Sequence, residues 1–113
     1  MPNILLTGAT GFIGSNILKA IKLNNKVFVL QRLNSKIIIN KSKNIKILKF
    51  KDYNSLSNKL KKIKVNTIIH CATHYKKKHS NKDIFKFVES NIMLGNIILK
   101  NIKILNAKQF IKI

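Results

Sequence analysis

Apolar residues occur in short runs and at helical spacing along the first part of the chain, separated by glycine-rich and lysine-rich breaks. The run Asn3–Thr7 is closed by Gly8, which is typical of a buried strand entering a turn. Apolar side chains then recur three or four residues apart over 13–21, as on one face of a helix. A second apolar run, Lys26–Leu30, predicts another strand, and 31–44 is expected to be mostly loop.

The remaining elements continue this alternation of strand and helix. In chain order they are a third strand over 45–50, a short helix carrying Leu56, Leu60 and Ile63, a fourth strand over Val65–Cys71, a long helix from Ser80 to about Lys103, a turn at Asn106 and a fifth strand over Gln109–Ile113. Ser80 and Asp83 fit the capping box that begins many helices. Alternating strands and helices predict a parallel sheet with covered faces, in a single α/β domain spanning residues 1–113.

The charge of the chain is strongly unbalanced, because 23 Lys and Arg residues stand against three acids and give a formal net charge of +20. Such a balance is typical of proteins that bind nucleic acid. Arg32 is the only arginine, however, and the lysines are spread among Asn and Ile, whereas nucleic-acid surfaces use arginine for bidentate contacts. The composition favours a solvated basic surface over a functional one, and no sequence-specific nucleic-acid partner is expected.

Cysteine usage and hydropathy limit the cellular setting. Cys71 is the only cysteine, which excludes an internal disulfide and a cysteine-based zinc framework. Cys71, His74 and His79 are close in sequence, but the lysines at 76–78 would repel a cation, and no metal is expected. No signal peptide or membrane-spanning run is recognisable, which predicts a cytoplasmic protein without a membrane partner.

Three glycines, each three residues after the last, separate the first strand from the first helix. A helix that starts after such a turn presents unpaired backbone N–H groups and the positive end of its dipole, a ready site for phosphate. In a dinucleotide-binding fold Gly8 would allow the tight turn, Gly11 would let the pyrophosphate reach the backbone, and Gly14 would let the helix pack on the sheet. The spacing therefore predicts dinucleotide binding, with a purely structural turn as the alternative.

The segment Thr7–Gly14, TGATGFIG, resembles the cofactor fingerprint of the extended short-chain dehydrogenase/reductases, the NAD-dependent epimerase/dehydratase family. Later stretches are similar to other motifs of that family. They are Asp52 after the third strand, 69–73 (IHCAT) at the end of the fourth strand, 91–96 (NIMLGN) in the long helix and 108–113 at the fifth strand. The resemblance covers the whole chain and implies a Rossmann-type, doubly wound parallel sheet with strand order 3-2-1-4-5, truncated after the fifth strand.

The resemblance also implies which residues bind the cofactor. They are Gly8, Thr10, Gly11, Phe12, Ile13, Gly14, Arg32, Asp52, Tyr53, Ala72 and Thr73. Asp52 would reach the adenine amino group, although it also fits the N-cap of a helix that begins at Tyr53. Ala72 and Thr73 would contribute backbone along the cofactor, whereas His70 is expected to be a hydrogen-bonded structural histidine.

The end of the second strand normally decides between the two nicotinamide cofactors. An acid there holds the ribose 2′-hydroxyl of NAD, and a nearby arginine accommodates the 2′-phosphate of NADP. This chain has Gln31 and Arg32 at that place. The pair predicts NADP, with NAD as the alternative and a merely solvated Arg32 as a third interpretation.

Family members mostly act on nucleotide-linked sugars as epimerases, dehydratases or reductases, and use a Ser or Thr with a Tyr-x-x-x-Lys pair for proton transfer. Tyr53 and Tyr75 are the only tyrosines here, and Ser57 and His79 stand four residues after them. The chain is therefore expected to be the cofactor-binding N-terminal part of such an enzyme, without catalytic residues of its own. The resemblance gives the full-length parent a nucleotide-sugar substrate, with a homodimer as one candidate assembly. The alternatives are a non-catalytic dinucleotide-binding module and a basic nucleic-acid-binding protein.

Overall fold

Five parallel strands form one sheet in the computed structural model, which describes residues 2–33, 35, 39, 42–71, 84, 85, 88 and 92–113. The strands are β1 (Asn3–Thr7), β2 (Lys26–Arg32), β3 (Ile45–Phe50), β4 (Thr67–His70) and β5 (Gln109–Lys112). The helices with defined ends are α1 (Phe12–Ile21), α2 (Tyr53–Leu60), α3 (Leu94–Lys100) and α4 (Ile102–Leu105), and further helical residues lie at 84, 85 and 88. Within these described ranges, no helix combines the length and apolar character that crossing a membrane requires.

The spatial order of the strands is β3-β2-β1-β4-β5, with β1 in the middle. Leu5 of β1 lies beside Phe28 of β2 on one edge and beside Ile68 of β4 on the other. The last four residues of β1 are buried because the strand has a neighbour on each edge and packed side chains on both faces. The predicted Rossmann-type order 3-2-1-4-5 is thus confirmed, and the burial explains why β1 and β2 read as continuous apolar runs.

Each face of the sheet carries its own apolar cluster. Leu5 packs on one face with Leu56 of α2 and Ile98 of α3. Leu6 points to the opposite face and packs with Leu18 of α1. Because successive strand residues alternate between faces, a strand with helices on both sides must be apolar at nearly every position. The sheet is therefore covered on both faces, as the alternation of elements predicts.

Strand β2 is longer than its sequence indicates. The apolar run ends at Leu30, but Gln31 and Arg32 continue the parallel ladder and pair with Lys49 and Phe50 of β3. Main-chain pairing carries a strand past the point where its side chains turn polar, since the hydrogen bonds do not depend on side-chain type. The extension places Gln31 and Arg32 at the carboxyl edge of the sheet.

The predicted long helix is interrupted in the described part of the chain. Helices α3 and α4 are separated at Asn101, whose backbone angles are φ −99° and ψ 9°. The Asn101 side chain donates to the Ile97 carbonyl at 2.8 Å, the kind of local bond by which Asn competes with helical hydrogen bonding. A continuous helix to Lys103 is therefore wrong. The predicted start at Ser80 and Asp83 lies outside the described residues.

The other boundaries follow the sequence more closely. Asn106 has the left-handed conformation (φ 59°) that ends α4, which confirms the predicted turn. Helix α2 ends at Leu60, so Ile63 lies beyond it, although Ile63 is buried in the same cluster. Strand β5 begins at Gln109, where the sequence predicts it.

Gly14 is the point where α1 packs on the turn that follows β1. A Cβ at this position would lie 1.9 Å from the Gly8 carbonyl oxygen and 2.6 Å from the Gly8 carbonyl carbon, far inside contact distance. These two atoms belong to the backbone and cannot move aside as a side-chain end would. The absence of a side chain at Gly14 is thus what lets α1 begin directly against the turn.

A buried hydrogen-bond network joins β1 to β4. Thr7 Oγ1 lies 2.6 Å from His70 Nδ1, and the Cys71 N–H donates to Thr7 Oγ1 at 3.1 Å. The His70 side chain is 1% exposed, and its Nε2 has no hydrogen-bond partner among the described atoms. Burial lowers the pKa of His70, and the positive charge of Lys112 lowers it further. The expectation of a hydrogen-bonded structural histidine is confirmed at Nδ1, and the imidazole is neutral in the folded protein at neutral pH.

Gly14→Ala is expected to destabilise the fold by about 3 kcal/mol or more, because the new methyl group overlaps the Gly8 carbonyl. Gly11→Ala is the matched control, since a Cβ there would meet only the Gly8 oxygen, at 3.5 Å. Its cost should stay within about 1 kcal/mol, the usual effect of alanine at a helix N-cap. Urea unfolding of both variants measures the difference, and equal stabilities would contradict this account of the packing.

Stability should decrease as the pH falls below about 6.5, the ordinary pKa of histidine. The unfolded chain then protonates His70 while the folded chain, whose pKa is lowered, does not. Between the ordinary pKa of histidine and the lowered pKa of His70 in the folded chain, the unfolded state binds more protons than the folded state. The population of the unfolded state therefore rises as the pH falls through this range. The free energy of unfolding, measured as a function of pH, should show this slope, and His70→Leu should lose part of it. An unchanged slope in His70→Leu would show that other groups are responsible.

Candidate functional site

The glycine turn after β1 leads directly into the first turn of α1. Gly8 has a positive φ of 75°, a conformation that glycine adopts without strain. The Gly11 N–H donates to the Gly8 carbonyl at 3.1 Å and closes the turn. Gly11 is the N-cap of α1, and no side chain caps the helix there. The N–H groups of the first turn therefore lack intrahelical acceptors, at the positive end of a ten-residue helix.

Gly11 differs from the two glycines beside it, because nothing in the described chain requires a glycine there. Its backbone lies in the extended region (φ −77°, ψ 170°), which any residue adopts. A Cβ would stand at ordinary van der Waals distance from its nearest neighbour, the Gly8 oxygen. Gly8 and Gly14 are explained by turn conformation and packing, whereas Gly11 leaves bare backbone facing open space. This is the arrangement that lets a phosphate approach the helix N-terminus closely.

A cavity of about 290 Å³ opens next to this turn, at the carboxyl edge of the sheet. Its described lining comes from the turn, from the end of β2 and from parts of β3 and α3. The residues are Thr7, Gly8, Ala9, Thr10, Leu30, Gln31, Arg32, Ser35, Phe50 and Leu94. In open parallel sheets, ligands bind outside the carboxyl ends of the strands near the point where the strand order reverses, here between β1 and β4. The cavity extends from that region to the end of β2.

The end of β2 forms one wall of the cavity. Gln31 is buried, and its amide nitrogen donates to Ser35 Oγ at 3.2 Å. Arg32 donates from one terminal nitrogen to the Tyr53 hydroxyl at 3.2 Å. Its guanidinium carbon also lies 5.5 Å from the centre of the Phe50 ring and 5.7 Å from the centre of the Tyr53 ring. The only arginine of the chain is thus held at a defined place in the wall.

Asp52 caps helix α2. One carboxylate oxygen accepts from the Ser55 N–H at 2.8 Å, and the Ser55 hydroxyl oxygen accepts from the Asp52 N–H at 3.2 Å, which completes a capping box. The N-cap role that the sequence allows is therefore confirmed. The described lining of the cavity does not include Asp52, and its contact with adenine stays a prediction.

The predicted cofactor residues fall into three groups. Gly8, Thr10 and Arg32 line the cavity itself. Gly11, Phe12, Ile13 and Gly14 form the adjoining start of α1, where Phe12 is 85% and Ile13 52% exposed. Asp52 and Tyr53 lie outside the described lining, and the Tyr53 hydroxyl accepts a hydrogen bond from Arg32, which is part of it. Ala72 and Thr73 lie outside the described residues.

Some lining residues were missed by the sequence analysis. Phe50 is the last residue of β3 and lies directly opposite Arg32 in the register, so extending β2 by two residues would have paired them. Ser35 lies in a stretch predicted to be loop, and Leu94 has only the periodicity of a core residue. No local signal distinguishes Ser35 or Leu94 from its neighbours.

Cys71 follows β4 close to the site but is not activated. Partial burial raises the pKa of its thiol, so the thiol is protonated at neutral pH and is a poor nucleophile or metal ligand. In the described portion of the chain, no three His, Cys, Asp or Glu side chains are grouped so that they could hold a metal ion. Among the described lining residues, the polar side chains are those of Thr7, Thr10, Gln31, Arg32 and Ser35, and the Arg32 guanidinium is the charged one.

The model of the NAD-dependent epimerase/dehydratase family matches residues 4–113. A dTDP-D-glucose 4,6-dehydratase of Dictyostelium discoideum is 34% identical over 121 aligned positions, covering 96% of this chain and 27% of the dehydratase. Among solved structures, a UDP-N-acetylglucosamine 4-epimerase from Methanobrevibacter ruminantium is 26% identical with a TM-score of 0.76, covering 96% of this chain and 36% of the epimerase. The Bordetella bronchiseptica enzyme WbmH, in complex with NAD+, is 19% identical with a TM-score of 0.78 and shares the fold over 97% of this chain and 38% of its own.

The chain is shorter than the proteins it matches. It spans about a quarter of the dehydratase and less than two fifths of the two solved structures described above. The family model nevertheless covers the turn, the cavity wall and the five strands except for Asn3. The chain belongs to the NAD-dependent epimerase/dehydratase family.

Proposed function

We propose that this chain is the NAD(P)-binding N-terminal part of an epimerase, dehydratase or reductase that acts on nucleotide sugars. The observation that carries the proposal is the bare backbone of Gly11 at the start of α1, which the chain's own packing does not require. Family membership and the cavity beside the turn support the same role. The relatives whose names include dTDP-D-glucose and UDP-N-acetylglucosamine supply the substrate class.

The residues present fit a dinucleotide. The first-turn N–H groups of α1 would hold the pyrophosphate, with Gly11 giving it access to the backbone. The adenosine would occupy the cavity between Thr10 and Arg32, and Asp52 with the backbone of Ala72 and Thr73 would complete the contacts that the family resemblance implies. The nicotinamide supplies hydride transfer when bound.

NADP is the proposed cofactor. No carboxylate stands at the end of β2 to bond the ribose hydroxyls, because Gln31 occupies the position and its amide is engaged with Ser35. Arg32 supplies a cation in the cavity wall, suited to a 2′-phosphate. The solved structure of WbmH contains NAD+, so the proposal separates this chain from that structural neighbour.

The chain is proposed not to turn over a nucleotide sugar by itself. Neither Tyr53 nor Tyr75 is followed by lysine four residues later, so the acid-base pair of the family is missing from the sequence. Tyr53 lies outside the described lining of the cavity, and its hydroxyl accepts a hydrogen bond from Arg32. The same two facts favour a second candidate, a non-catalytic dinucleotide-binding module. Absence of turnover with a nucleotide sugar and NADPH would fit both, whereas measurable turnover would contradict both.

Arg32→Ala tests the cofactor assignment. The native chain should bind NADPH more tightly than NADH, and the variant should lose about tenfold in NADPH affinity, since a hydrogen bond to a charged group is removed. NADH affinity should change little. Titration calorimetry measures all four affinities. A native preference for NADH, or an Arg32→Ala variant that keeps the native ratio, would overturn the assignment of NADP.

Gly11→Val tests the phosphate site. The variant should fold, because a Cβ at Gly11 has room in the described structure, yet it should bind neither NADPH nor NADH. The branched side chain would occupy the space through which the pyrophosphate reaches the backbone. Ala20→Val, at an exposed position of α1, is the control for adding a β-branched residue to the same helix and should bind normally. Circular dichroism establishes folding and calorimetry binding; native affinity in Gly11→Val would remove the main support for the proposed function.

A further inference from the structure

Arg32 is surrounded by two aromatic rings at the end of β2. Its guanidinium carbon lies within 5.7 Å of the centres of both the Phe50 and the Tyr53 rings. At these distances the charge interacts favourably with the electron-rich ring faces. A terminal nitrogen also donates to the Tyr53 hydroxyl at 3.2 Å. Among the described residues, Phe50 and Tyr53 thereby restrain the side chain, Tyr53 through both its ring and its hydroxyl.

Rigid elements hold both rings. Phe50 is buried and lies opposite Arg32 in the β2–β3 ladder. Tyr53 is the first residue of α2, and the capping box of Asp52 and Ser55 fixes the backbone immediately before it. The hydroxyl of Tyr53 is thus placed by a helix start whose geometry is set by its own hydrogen bonds.

Arg32 and Phe50 line the cavity, whereas Tyr53 is not part of its described lining. Tyr53 touches the guanidinium from outside the cavity wall and acts on the cavity through Arg32. An arginine side chain loses rotamer freedom when it is held in one geometry, and a contact made before the ligand arrives removes that cost from binding. The planar guanidinium can then present its donors to a phosphate in a fixed orientation.

We propose that Tyr53 is a positioning residue that orients the Arg32 guanidinium toward the 2′-phosphate of the adenosine half of the cofactor. Tyr53 thereby sets the preference for a 2′-phosphorylated nucleotide without touching the nucleotide itself, in contrast to the place among the cofactor-binding residues that the family resemblance implies. The inference rests on the proposed function.

The test uses nucleotides that occupy only the adenosine part of the site. Adenosine 2′,5′-bisphosphate and adenosine 5′-monophosphate differ by the 2′-phosphate alone, and calorimetry gives the ratio of their affinities for each protein. The proteins are the native chain, Tyr53→Phe, Arg32→Ala and the double variant. Tyr53→Phe keeps the ring and removes the hydroxyl, so folding is expected to be preserved.

Tyr53→Phe should lower the preference for the bisphosphate by about two- to tenfold, the effect of one hydrogen bond, and leave the affinity for the monophosphate unchanged. Arg32→Ala should lower the preference further. In the Arg32→Ala background, Tyr53→Phe should have no additional effect, which is the mark of a residue that acts through another.

Three sets of affinities distinguish failure of the positioning role of Tyr53 from failure of the NADP assignment and of the proposed function. If the preference for the bisphosphate survives Tyr53→Phe, or if Tyr53→Phe still acts without Arg32, the positioning role is wrong while the site stands. If the native chain binds both nucleotides equally, the role of the guanidinium and the assignment of NADP are both overturned. If it binds neither nucleotide, the proposed function itself fails.

Discussion

The contact between Gly14 and the carbonyl group of Gly8 determines the arrangement of the whole site. It brings the first turn of α1 so close to the end of β1 that no side chain fits between them. The helix dipole therefore ends at the carboxyl edge of the sheet, beside the middle strand. The cavity wall formed by β2 and β3 lies next to this N-terminus. A helix displaced by the width of a methyl group would aim its N–H groups elsewhere.

The sequence determines most of this arrangement through simple signals. Apolar runs locate the strands because a strand covered on both faces has no polar side. The glycines locate the turn because Gly8 has a positive φ and Gly14 leaves no room for a side chain. The strand order follows from the family resemblance. What fails are details decided by particular hydrogen bonds, one set between strands and one within a helix. Ladder bonds with β3 extend β2 to Arg32, and a side-chain bond from Asn101 interrupts the last long helix.

The candidate site was predictable to a similar degree. The glycines and Arg32 stand out as residue types, and the structure brings Gly8, Thr10 and Arg32 to one cavity. The role of Asp52 was harder to rank, since a carboxylate before a helix can serve the backbone, a ligand or both, and only the observed bond to Ser55 establishes the first use. The contact of Arg32 with Phe50 depends on the register between β2 and β3, and no local pattern in the sequence of β2 predicts that register.

Asp52, which caps α2, belongs to a small set of acidic residues, and the size of that set determines how the charge of the chain responds to its solvent. Asp52 is one of only three carboxylate side chains, against 23 basic residues. Acid can therefore add few charges to a molecule that is already strongly cationic at neutral pH. Repulsion among the lysines persists at every ordinary pH and is relieved chiefly by counterions. Ionic strength, rather than acidity, is the solution variable that governs the electrostatic self-repulsion of this chain.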